Sequence, residues 1–285
     1  PYINLKGTGI QQPAMASDPE LTLGFSPCPN DTFIFHALVH ERVPFNGYRL
    51  DVQLHDVETL NRMAASETLD VSKLSVFAWF KHQSCYRLME SGAALGYGCG
   101  PLVVTTPGPK PEPFARWRIA LPGQDTTAHL LLRLWAPDAQ DRYFVPYDRI
   151  FDQLRQGQAD AGVIIHENRF TYEKQGFGLV VDLGAWWEQQ TGLPIPLGVI
   201  AAHKRIAAAD RRALELAIRN SIDYARQFPE ASHAYMHRHA QEMDAPVLRK
   251  HVTTYVNDFS LNLGTKGHAA IARLASMARE KGVLT

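Results

Sequence analysis

Residues Gln158 to Tyr172, Q-A-D-A-G-V-I-I-H-E-N-R-F-T-Y, decide how the fold is read. A short apolar run ends abruptly on His166 and a cluster of polar groups, which predicts a buried strand that delivers an imidazole to its carboxyl end. Ligands of open α/β sheets bind in the crevice outside the carboxyl ends of the strands, so His166 is the first candidate for chemistry. Imidazole titrates near neutrality and burial tunes it readily, as a general base requires. A hydrogen-bonded structural histidine would occupy the same place, and the pattern alone leaves both readings open. Glu167 would point to the opposite face if the strand continued, and no second histidine or carboxylate stands at metal-ligand spacing around His166.

The stretch has an echo upstream. L-N-R-M-A-A-S-E-T-L-D-V-S-K-L-S (Leu60 to Ser75) reads like F-D-Q-L-R-Q-G-Q-A-D-A-G-V-I-I-H (Phe151 to His166): an amphipathic helix, a tight turn, an Asp and a strand ending on a polar residue. Such repetition points to two lobes of similar build. Strand, helix and strand alternate from Leu21 to Leu74 and again from Trp117 to Ile165, which implies parallel pairing within an α/β fold. The expected division is a tail over residues 1–20, one lobe from 21–106 and 199–285, and a second from 107–198. The last part of the first lobe is read as helical: Ala208 onward, Ala231 to Met243, Ala245 to Tyr255 and Thr265 to Lys281. Asn30 or Asp31 is expected to cap the helix that opens at T-F-I-F-H, and a helix is expected over Phe77 to Glu90. G-Y-G-C-G (Gly96 to Gly100) lacks the spacing of a nucleotide-binding loop and reads as a turn where backbone passes close to something.

At 285 residues the chain has room for two modest cores. With 29 basic and 29 acidic residues it carries no net basic field to hold a phosphate backbone, so nucleic acid is not an expected partner. No run of about 18 apolar residues predicts a membrane span. Three cysteines without C-x-x-C spacing argue against a disulfide framework or a structural zinc site, and a cytoplasmic home follows. Cys28 and Cys99 fall in candidate cleft loops, where an inert buried thiol is the more common case.

Two further segments face the expected cleft. In L-P-G-Q-D-T-T-A-H, Thr126 and Thr127 open a helix after a strand, where hydroxyls and unpaired amides offer an anion pocket suited to a carboxylate; a plain Thr N-cap is the alternative. Lys73, Leu74 and Ser75 end the upstream strand and would face His166 from the other lobe, although a lysine is usually solvated. His36 and His40 lack the intervening Glu of a zinc helix. The histidines between Ser232 and His239 read as a solvated face.

S-P-C-P-N-D-T-F (Ser26 to Phe33), G-C-G-P-L-V (Gly98 to Val103), P-G-x-x-T-T-A (Pro122 to Ala128), D-A-G-V-I-I-H-E (Asp160 to Glu167) and Y-V-N-D-F-S-L-N-L-G (Tyr255 to Gly264) together resemble the 1,4-dihydroxy-6-naphthoate synthases of the futalosine route to menaquinone. The resemblance runs from about Leu21 to the C-terminus. It implies a two-lobed fold like the type 2 periplasmic binding proteins, used as a cytoplasmic enzyme without metal or organic cofactor. The expected reaction turns cyclic dehypoxanthinylfutalosine into 1,4-dihydroxy-6-naphthoate. By residue match His166 is the proton acceptor, and Lys73 to Ser75, Thr126 and Thr127 line the substrate site, with Asn30 beside them. Tyr172, Ser26 and Asn30 are candidates by location for returning the proton. A non-catalytic solute-binding protein of the same fold and the chorismate dehydratase of the same pathway are the competing readings. Oligomeric state is not legible.

Overall fold

The computed structural model describes residues 20–45, 47–240 and 244–284. The expected tail lies outside the described residues up to position 19, while Glu20 already belongs to the first strand; positions 241–243 of the expected helix over Ala231 to Met243 also lie outside. In chain order the elements are β1 (Glu20–Phe25), α1 (Pro29–Val39), β2 (Arg49–Leu54), α2 (Val57–Ala65), β3 (Val71–Ser75), α3 (Val76–His82), β4 (Tyr86–Leu88) and β5 (Ala94–Gly96). There follow β6 (Leu102–Thr105), β7 (Ile119–Leu121), α4 (Thr127–Trp135), β8 (Arg142–Phe144), α5 (Ile150–Arg155), β9 (Ala161–Ile164), α6 (Asn168–Thr171), β10 (Gly178–Asp182) and α7 (Leu183–Thr191). The return strand β11 (Ile195–His203) leads to α8 (Ala208–Gln227), α9 (Pro229–His239), α10 (Ala245–Tyr255), α11 (Asp258–Leu261) and α12 (Gly264–Glu280). No described helix is long and apolar enough to cross a membrane.

Two mixed sheets share one plan. The first runs β2-β1-β3-β11-β4, with β5 also on β11; the second, read from the corresponding edge, runs β8-β7-β9-β6-β10. In each, the first three strands are parallel and the fourth is antiparallel. Each fourth strand comes from a crossing of the chain, β6 on the way out and β11 on the way back. The first crossing therefore precedes Leu102 and does not follow Thr106, because β6 pairs with β9 and β10. The return likewise precedes Ile195, where β11 begins, and not residue 199.

The echo holds at atomic level, with a shift of one residue. Val71 pairs with Leu23 and Ala161 with Ile119, so Asp70 and Asp160 are equivalent. Both do the same work: Asp70 accepts from the amide of Thr22 at 2.8 Å and Asp160 from that of Arg118 at 2.9 Å, tying each third strand to the start of its neighbour. Ser75 then corresponds to Ile165, and His166 falls one residue beyond.

The core explains two departures from the sequence reading. Helix α1 is buried on all sides from Pro29 to Leu38, its polar residues Asn30, Asp31, Thr32 and His36 included. Its N-cap is Cys28, with Pro29 in the first turn, where a missing amide proton costs nothing; Asn30 and Asp31 lie inside the helix and are free for other bonds. Helix α3 stops at His82 rather than running to Glu90, because Tyr86–Leu88 is drawn into pairing with β11. The largest core cluster joins Phe77, Leu95 and Val199 of the first sheet's side to Val103, Leu130 and Trp187 of the second and to Leu274 of α12, so the two lobes are fused along one flank.

Gly100 and Gly184 mark the crossing. Gly100 has φ +127° and its backbone lies against that of Gly184, where an added Cβ would sit 1.8 Å from the carbonyl oxygen of Cys99. This is the close approach expected of the Gly96 to Gly100 turn. Gly184→Ala is expected to destabilise the fold by at least the ~1–3 kcal/mol typical of overpacking, because the clash is with backbone and no rotamer relieves it. Urea unfolding checks this, and a loss below about 0.5 kcal/mol, the level of an indifferent surface change, would contradict it.

Candidate active site

Between the two sheets lies a pocket of about 660 Å³, a volume that includes space open to solvent. Of the residues singled out in the sequence, Asn30, Lys73, Ser75, Thr126, Thr127 and His166 line it. Leu74 does not. Side chains alternate along a strand, so while Lys73 and Ser75 face the pocket, Leu74 packs on the other face with Ala64, Tyr86 and Ala201. Tyr172 is also absent from the lining, its hydroxyl donating to Glu173.

Lys73 is not solvated. Its Nζ lies 3.0 Å from Asp31 Oδ1 and donates to the carbonyl of Gly92 at 3.1 Å, and both side chains of the ion pair are buried. Asp31 is the hub of this wall: its other oxygen accepts from the amide and the hydroxyl of Ser26, at 3.2 and 2.7 Å, and Oδ1 also takes the Asn30 amide at 2.8 Å. Ser75 is fixed by Asn61, which accepts from the Ser75 amide and donates to its hydroxyl.

The opposite wall is the start of α4. Thr126 caps it by accepting from the amide of His129. Both threonine hydroxyl protons are committed within the protein, Thr126 to the carbonyl of Gly123 and Thr127 to that of Leu197. What the helix offers an anion is therefore the first-turn amides that Thr126 does not cap, those of Thr127 and Ala128, which have no intrahelical acceptor, and the positive end of the dipole. Glu58 of α2 reaches across and accepts from the amides of Gln124 and Asp125 in the loop before α4, while Lys81 pairs with Asp125. Burial pushes the Glu58 carboxyl above its ordinary value. Asn61 also donates to Glu58, so a polar chain runs from Ser75 through Asn61 and Glu58 to the Thr126 loop.

His166 projects between these walls. Strand β9 ends at Ile164, and His166 adopts φ +56°, a left-handed conformation that costs a non-glycine residue about 1–3 kcal/mol and clusters at functional sites. Tyr147 packs edge-on against the ring at 4.9 Å, and Cys28 Sγ lies 3.4 Å from Nδ1. Burial holds the imidazole below its ordinary value, against the opposing pull of Glu167 and Asp31. Burial, reinforced by Glu167, pushes the Cys28 thiol up, which keeps it protonated. Cys99, in contrast, belongs to the core beneath Gly184.

Two neighbours were missed in the sequence. Because the chain turns after Ile164 instead of continuing as a strand, Glu167 is buried beside His166 rather than directed away. His251 of α10 arrives from far along the chain: it lines the pocket, is almost fully buried and lies nearly parallel to the His166 ring, centroid to centroid 6.3 Å. Only its place on an apolar helix face hinted at burial. Among the described residues no three His, Cys, Asp or Glu side chains gather as metal ligands.

Fold and cleft define a class, the two-lobed α/β proteins of periplasmic-binding-protein-like fold. The periplasmic aliphatic sulphonate binding protein of Escherichia coli matches with a TM-score of 0.63 at 14% identity, covering 94% of this chain and 89% of that one, a likeness of fold alone. The crystal structure of an Archaeoglobus fulgidus protein matches with a TM-score of 0.88 at 32% identity, covering 93% and 98%. Residues 21–280 fit a family model described as menaquinone biosynthesis. Relatives from Thermus thermophilus and Streptomyces coelicolor, each named 1,4-dihydroxy-6-naphthoate synthase, are 49% and 42% identical, over 92% and 93% of this chain and 95% and 94% of theirs. The chain belongs to the 1,4-dihydroxy-6-naphthoate synthase family of menaquinone biosynthesis.

Burial also lowers His36 and His129 from 6.5 to about 4, and it lowers His166 and His251. A depressed histidine means that the unfolded chain binds more protons than the native one, so stability is lost as pH falls below the unfolded value. The urea midpoint is expected to drop between pH 6.5 and 4. His129→Asn should flatten that slope; an unchanged slope would show that His129 is not held neutral by the fold.

Proposed function

We propose that this protein is a carbon–carbon lyase that converts cyclic dehypoxanthinylfutalosine to 1,4-dihydroxy-6-naphthoate in the pocket between the sheets, with His166 as general base. The observation that carries this reading is His166 itself: a partly buried imidazole, held below its ordinary value and in a strained backbone conformation, that lines the cleft. A binding module has no evident need for that strain, and the name borne by the relatives supports an enzyme.

The substrate carries a carboxylate, and the first-turn amides of α4 are the groups suited to it. Lys73 adds positive charge from the facing wall, tempered by Asp31. With the substrate so oriented, His166 removes a proton and the electron pair left behind drives cleavage of the adjacent carbon–carbon bond. Formation of an aromatic ring favours the forward direction. The Glu58 contacts and the shared flank hold the walls together, and exclusion of water strengthens each polar interaction inside.

Purified protein would be incubated with cyclic dehypoxanthinylfutalosine and, separately, with chorismate, with chelator in both, and products followed by chromatography with mass detection. The naphthoate is expected. Conversion of chorismate would move the assignment to the dehydratase of the same pathway, and binding of either compound without turnover to a solute-binding role. His166→Ala should lower kcat by about 10²–10⁴-fold, the usual contribution of a general base, with KM changing far less. Wild-type kcat in that variant would remove His166 from the chemistry.

A further inference from the structure

The role given to His166 leaves two buried titratable neighbours unused, Glu167 and His251. The tautomer of His251 can be worked out from the hydrogen-bond network. Asp31 is surrounded by donors from Lys73 and Ser26, so the Asn30 side chain must present its NH₂ to Asp31 and its carbonyl oxygen to His251. Nε2 of His251 lies 3.0 Å from that oxygen and therefore carries a hydrogen. In a neutral imidazole the other nitrogen is then bare. That nitrogen, Nδ1, is buried and has no hydrogen-bond partner among the described residues; the same holds for Glu167 Oε2, and the two atoms face each other at 3.9 Å. At that separation neither atom is hydrogen-bonded to the other. Unpaired buried polar atoms are uncommon and costly, and here both lie one residue or one ring away from His166.

We propose that His251 and Glu167 form a proton relay for His166, a buried pair that takes up the proton lifted from the substrate and gives it back before product leaves. The proposal rests on the general-base reading of His166. Tyr147 packs edge-on against the His166 ring and Cys28 lies beside it, so the imidazole is poorly placed to carry a proton from one substrate atom to another. The proton leaves a substrate carbon for His166 while the C–H electron pair stays with the substrate. It then passes by way of the adjacent Glu167 carboxyl to His251 Nδ1, an atom that solvent does not reach. His251 is now an imidazolium, with Nε2–H on Asn30 and Nδ1–H on Glu167, and His166 is neutral again. Reversal of these steps at the other fragment restores the resting pair, with no net gain or loss of protons. Burial and the neighbouring His166 hold His251 well below its ordinary value, which keeps the charged pair short-lived and ready to release its proton.

The test compares His251→Gln, Glu167→Gln, the double variant and His166→Gln in the full chain with cyclic dehypoxanthinylfutalosine. Gln at 251 keeps an amide donor for Asn30 but cannot titrate. Each single relay variant should lower kcat by at least about 10-fold with KM within about twofold, and the double variant should be no slower than the slower single, as expected of one shared proton. Wild-type kcat in His251→Gln, or losses that multiply in the double variant, would overturn the relay. Turnover retained in His166→Gln would instead sink the general-base reading, and the relay with it. Should the variants not fold, nitrogen-15 NMR of the wild-type protein decides: a neutral His251 protonated on Nε2 is expected, and either the Nδ1–H tautomer or an imidazolium at rest overturns the proposal.

Discussion

The buried ion pair of Lys73 and Asp31 is the constraint on which the site depends. Two charges removed from water are tolerated only when geometry and additional hydrogen bonds compensate their desolvation, and here every neighbour is recruited to that end. Asp31 draws in the Ser26 hydroxyl and amide, the Asn30 amide and the Lys73 ammonium. Through Asn30 it also sets the tautomer of His251. Such a pair adds little net stability over apolar packing, while loss of one partner typically costs about 3–5 kcal/mol. Its value lies in fixing β1, α1 and β3 in one arrangement, so that the wall of the pocket is a rigid polar surface.

Twofold repetition of one sheet plan explains where the pocket lies. In each lobe the third parallel strand delivers its carboxyl end to the cleft, β3 bringing Ser75 and β9 leading to His166. The equivalence is close enough that Asp70 and Asp160 make the same bond to a neighbouring strand. The two copies have nevertheless diverged at the point of use. His166 stands opposite Val76 in the repeat, and only the second copy breaks into a left-handed residue there. One lobe thus supplies the Lys73–Asp31 pair and His251, and the other supplies His166 and the start of α4.

Fusion of the lobes along one flank distinguishes this molecule from a pair of domains on a free hinge. Trp187, Leu130 and Leu274 sit in one continuous apolar cluster with Phe77 and Val199, and Glu58 and Lys81 add polar contacts between α2, α3 and the loop before α4. A close-packed interior resists gradual deformation. These contacts tie the two walls of the cleft together, which suits a site whose groups must meet within hydrogen-bond distance.

The alternation of apolar runs and polar strand ends in the sequence by itself determined the α/β class, the paired lobes, and the candidacy of His166, Lys73, Ser75, Asn30, Thr126 and Thr127. Those signals are local: period-two burial, a helix start after a strand, a motif repeated at similar spacing. The tertiary structure alone decided that Leu74 turns away, that the threonine hydroxyls are already committed, that Glu167 turns inward, and that His251 joins His166. Each of these depends on where the chain bends or on contact between distant segments: Asn30 and His251 are 221 residues apart. No local pattern encodes such a meeting, because it arises from packing α10 against α1, and burial of the whole cleft then determines which groups hold protons.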